Sequence, residues 1–63
     1  MCVAIPGLVK RIIDEFEFSR MAEVEFADGI RSVDLVMTPD AGAGDQVIVH
    51  SGYAIRVVAH IES

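Results

Sequence analysis

Along most of this chain an apolar residue returns at every second position, a spacing that suits half-buried β-strands and leaves little room for an amphipathic helix. The alternation is cleanest from Ala22 to Phe26, with Ala22, Val24 and Phe26 on one face and Glu23 and Glu25 on the other. Asp28-Gly29 follows as a hairpin signal, because glycine accepts the positive φ of tight turns. The return strand puts Val33, Leu35 and Met37 on one face and Ser32 and Asp34 opposite. Before this hairpin, Leu8 to Ile13 reads as a first strand led in by Pro6-Gly7, and the acidic stretch from Asp14 to Arg20 as a turn or loop anchored by Phe16 and Phe18. After it, Thr38 to Gly44 is a Pro-, Asp- and Gly-rich loop. Gln46 to His50 forms a central fourth strand, apolar on both faces, and Ser51-Gly52 marks a bulge or a close backbone approach. Tyr53 to Ile61 is the last strand, with Ile55, Val57, Ala59 and Ile61 on one face and Ala54, Arg56, Val58 and His60 on the other. Five short strands predict an all-β fold, either a small barrel or a strongly curved sheet; closure removes the exposed edges of an open one.

The chain has 63 residues, which predicts one domain over 1–63 with a small core and marginal stability on its own. A hydrophobic content of 52% excludes an intrinsically disordered tail. Ten acidic against five basic residues give a net charge of −5, the wrong sign for a default nucleic-acid binder. One cysteine excludes a disulfide framework and a cysteine-only metal site. No apolar run approaches the ~20 residues of a membrane helix, and the apolar start breaks at Pro6-Gly7 before it can serve as a signal peptide. The expected location is the cytoplasm.

The chemistry concentrates at Cys2. Removal of Met1 would make the thiol N-terminal, pairing it with an α-amine of pKa ~7.7–8.0 whose ammonium form favours the thiolate. A soft thiolate suits Fe(II), Cu(I) or Zn rather than Mg or Ca. The plainer reading is a small packed hydrophobe, against which stands its place at a terminus. His50 closes the fourth strand, where it is a second ligand, a proton-transfer group or simply a strand-end histidine. His60 reads as a surface residue. There is no glycine-rich phosphate loop, HExxH or CxxC.

Two blocks carry a resemblance over nearly the whole chain: Met1-Cys2-Val3-Ala4-Ile5-Pro6-Gly7, and Gly44-Asp45-Gln46-Val47-Ile48-Val49-His50-Ser51-Gly52-Tyr53-Ala54-Ile55. Together they resemble the HypC/HupF family, small chaperones of [NiFe]-hydrogenase maturation. The resemblance implies an OB-like five-stranded β-barrel, usually followed by a C-terminal helix that is absent or vestigial in a chain ending at Ser63. It implies that Cys2 binds iron, holding an Fe(CN)2CO unit with a HypD-like iron–sulfur maturation protein and delivering it to the hydrogenase large-subunit precursor. It gives His50 a supporting role, as ligand or outer-shell partner. Leu8 departs from the basic or polar residue common after Pro-Gly, which makes the surface around Val3, Ile5 and Leu8 apolar and suited to a protein partner.

The leading expectation is therefore a metallochaperone that is not an enzyme. The rival is an OB-type module for single-stranded nucleic acid, which wants basic grooves and stacking aromatics; only Phe16, Phe18, Phe26 and Tyr53 are aromatic. A thiol-dependent enzyme has one cysteine and no assured base partner.

Overall fold

The computed structural model describes residues 3–16 and 19–60, and the side chains of 3–14 and 20–60. Its strands are β1 (Ile5–Phe16), β2 (Ser19–Phe26), β3 (Gly29–Asp34), β4 (Asp45–His50) and β5 (Tyr53–His60), closed into a barrel in the order β1-β2-β3-β5-β4. No helix occurs among the described residues. Of the small barrel and the curved sheet that the alternation allows, the closed barrel is the one observed.

β1 is longer than its pattern suggested, at both ends. Pro6-Gly7 is not a lead-in turn but lies inside the strand, paired with Ile48 and Val47 of β4. From Leu8 onward β1 turns to β2, with register shifts beside Lys10 and Ile13. Such bulges bend a strand enough to serve two neighbours around a small barrel. The stretch read as a loop is the far end of the same hairpin, since Asp14, Glu15 and Phe16 pair with Met21, Arg20 and Ser19. The anchoring role given to Phe16 and Phe18 lies outside the described side chains.

The inward faces of β2, β3 and β4 supply the core: Ala22, Val24, Phe26, Val33, Val47 and Val49 are buried, joined by Val9, Leu35 and Ala54. Three details differ from the sequence reading. The β2–β3 turn is Ala27-Asp28, with Gly29 taking φ +142° just beyond it as the partner of Phe26. Met37 does not share the buried face of Val33 and Leu35, because β3 ends at Asp34 and the chain turns; Met37 is 61% exposed. In β5 only Ala54 is buried. Register shifts against β4 between Val49 and Ile48, and again between Val47 and Gln46, break the two-residue period on which the face assignment of Ile55, Val57 and Ala59 relied.

The outer face of β2 carries Glu23 and Glu25. The two are bonded to Arg11 (2.7 Å) and Lys10 (3.8 Å) across the β1–β2 ladder. The guanidinium of Arg11 holds the Glu23 carboxyl below its usual range.

Candidate functional site

His50 is half-buried at the end of β4. Ser51 and Gly52 reverse the chain directly after it, with φ +54° and +83°, and His50 pairs with Tyr53 across the turn. Two consecutive positive-φ residues match the twist of a two-residue hairpin, so Ser51-Gly52 is the β4–β5 turn and not a bulge within a strand.

The other side of β4 is occupied by β1, through Ile5↔Val49, Pro6↔Ile48, Gly7↔Val47 and Leu8↔Gln46. First and fourth strands are thus neighbours, as a shared site requires. The register ends at Ile5↔Val49, one residue short of His50, and Val3 shares a surface depression with Ser51 of the turn. Cys2 itself lies outside the described residues. Val3, bonded to it, is 66% exposed. Val3 lines a depression of about 230 Å³ at this end of the barrel, shared with Ile5, Phe26, Val33, Val49 and Ser51 among others. Val49 faces this interior; His50, next in the strand, faces the outer surface.

Gly7 makes this arrangement possible. A Cβ there would stand 2.4 Å from Val24 Cγ1 and 2.7 Å from Phe26 Cε1, so only glycine lets β1 cross over the Phe26 ring. Sequence reading missed this role, although a glycine that follows proline within an apolar run was the signal for it.

His60 sits at the opposite end of the β4–β5 ladder, paired with Asp45. Its Nδ1 is bonded to the buried Asp45 carboxylate, which also accepts the Gly42 N–H at 2.9 Å. The His60 bond first, and the Gly42 amide second, hold the Asp45 carboxyl below the usual aspartate range. His60 is exposed, as read, but also fastens the loop before β4. The five steps from Asp45 to His50 span about 17 Å at strand rise, so the two histidines belong to different ends of the molecule. Among the described residues no three of His, Cys, Asp and Glu come together in a metal-binding group.

The HupF/HypC family matches residues 1–63. The chain belongs to that family. It is 36% identical over 59 residues to the hydrogenase maturation factor HypC of a Synechocystis species, covering 92% of this chain and 78% of the relative. It is 38% identical over 55 residues to the hydrogenase maturation factor HypC of Cupriavidus necator, covering 87% of this chain and 57% of that relative. No solved structure matches the chain.

Proposed function

We propose that this chain is a hydrogenase maturation chaperone that carries iron as cargo and is not itself an enzyme. The observation that carries this reading is the family match over residues 1–63, on a barrel whose β1–β4 pairing runs the N-terminal stretch alongside His50. In this reading the Cys2 thiolate holds the Fe(CN)2CO unit, because iron in this state takes a soft, anionic donor. His50 supports it, as a hydrogen-bond donor to a cyanide nitrogen or to the sulfur, or as a transient ligand. The partners are a HypD-like iron–sulfur protein, where the unit is assembled, and the large-subunit precursor that receives it. The exposed apolar pair Val3 and Ile5 at the same end suits docking to such proteins.

A nucleic-acid role has less support. Lys10, Arg11 and Arg31 are bonded to Glu25, Glu23 and Asp28, and Phe26 is in the core. Stacking platforms need exposed rings in a cationic groove.

The test is anaerobic co-purification with a HypD-type partner, followed by iron analysis and infrared spectroscopy of bound cyanide and carbon monoxide. Cys2→Ala removes the bands, and His50→Ala weakens loading by ~10–100-fold, as for an outer-shell partner of a metal. His60→Ala leaves loading unchanged. Wild-type bands in Cys2→Ala would overturn the proposal, and wild-type loading in His50→Ala would reduce that histidine to a strand end.

A further inference from the structure

β3 is paired with β2 along its whole length, but with β5 only where Asp34 meets Tyr53. The barrel therefore closes through one point. There the Asp34 amide donates to the Gly52 carbonyl at 2.9 Å. Backbone groups on one side of a strand recur every second residue, so the N–H and C=O groups of Ser32 and Ile30 point the same way as those of Asp34. Among the described residues no strand takes them up. Gly29 to Ser32 are all exposed, Ile30 by 56%.

The depression of about 230 Å³ opens directly beside this edge, with Ser32 and Val33 on the β3 side and Val3 and Ser51 across from them. Arg31 is the charged residue on its rim. Its guanidinium lies 5.4 Å from the Phe26 ring centroid and is bonded to Asp28 at 2.5 Å, which holds it over Phe26 near the β2–β3 turn.

We propose that the Ile30–Ser32 edge of β3 binds an extended segment of a partner polypeptide as an added strand, with one apolar side chain of that segment seated in the depression. An open row of main-chain groups beside a side-chain-sized hollow, lined by Val3, Val33 and Val49 on its apolar part and by Arg31, Ser32 and Ser51 on its rim, is the pairing by which added strands gain affinity and specificity respectively. The hollow is below the ~300–1,000 Å³ of small-molecule sites. A net charge of −5 disfavours a phosphate backbone. A second copy of this chain is the weaker occupant, because pairing through Gly29–Val33 alone buries far less than the ~1,200 Å² of a stable interface. The proposal goes beyond the iron-cargo reading and stands independently of it.

The experiment selects a randomised decapeptide library against the full chain and then measures amide exchange with the best binders. Bound peptides slow exchange at Ile30 and Ser32 by about tenfold or more, while amides already bonded to β2 change little. They also share an apolar residue flanked by alternating positions. Ser32→Pro removes one outward N–H without touching the β2 ladder, and lowers peptide affinity by about tenfold. If the proline variant does not fold, chemically synthesised protein with N-methyl-Ser32 makes the same deletion. The proposal is overturned if no peptide is enriched, if binders protect other amides, or if the blocked edge binds as well as wild type. Concentration-dependent protection of Ile30 and Ser32 without peptide would overturn it in favour of self-pairing.

Discussion

Replacing Gly7 with alanine adds a single methyl group, and the structure predicts that this one carbon lowers stability more than most surface substitutions could. The new Cβ would lie 2.4 Å from Val24 Cγ1 and 2.7 Å from Phe26 Cε1, both on buried side chains. Carbon atoms rest at ~3.5–4.0 Å, so both contacts overlap by roughly an ångström. Overpacking of this kind costs about 1–3 kcal/mol. Against it stands the reduced entropy of the unfolded chain, worth ~0.4–1 kcal/mol, because Gly7 does not occupy the positive-φ region and alanine could adopt its backbone. With two well-held neighbours in the way, the net loss falls near 2 kcal/mol, or a Tm lower by roughly 8–16 °C for a domain this small. Circular dichroism melts of wild type and variant measure it. Gly42→Ala is the control, since nothing lies within 4 Å of its Cβ position and its φ is not positive; it should hold or raise the Tm. Val24→Ala in the Gly7→Ala background should cost less than in wild type, by about 1 kcal/mol of coupling. A Gly7→Ala melt indistinguishable from wild type would refute the close crossing of β1 over Phe26.

Leu35→Ala should cost ~2–4 kcal/mol in chemical denaturation, while Met37→Ala, two positions on, should stay within ~0.5 kcal/mol; equal losses would mean that β3 does not end where described. Asp45 contributes a pH dependence. Its carboxyl is held below the usual range in the fold, so the unfolded chain binds the proton first, and stability is present above roughly pH 4 and lost as pH falls below it. Asp45→Asn should flatten that acid limb in denaturation curves at stepped pH, and an unchanged limb would show that the carboxylate is not the group responsible.

The strand content and the inward faces of β2 and β3 were legible because two-residue alternation is a local property, visible wherever a strand stays regular. Val24 and Val33 were recognisable for that reason, whereas β4, apolar on both faces in sequence, did not reveal that Val47 and Val49 point inward. The face of β5 was not, because a bulge is fixed by the partner strand and leaves no mark in the alternation of Ile55, Val57 and Ala59. The loop reading of residues 14–20 failed at Asp14, Glu15, Phe16, Ser19 and Arg20, because acidic composition suggests solvent and does not record that the backbone is paired across a hairpin. At the site, the nearness of His50 to the N-terminal stretch was not legible, because it rests on the pairing of β1 with β4, which neither strand's own pattern records. Nor was the bond between His60 and Asp45, since it joins two strand ends through a ladder whose register only the folded barrel defines.

The β1–β4 ladder joins Ile5 to Val49, among the most widely separated positions that pair in this chain. Contacts of that span require most of the polypeptide to exist before they form, and they are slow to close. During synthesis β1 emerges before β4 and waits without this docking strand until β4 has left the ribosome. The end of the molecule that the proposed cargo would use is thus assembled only in a finished barrel.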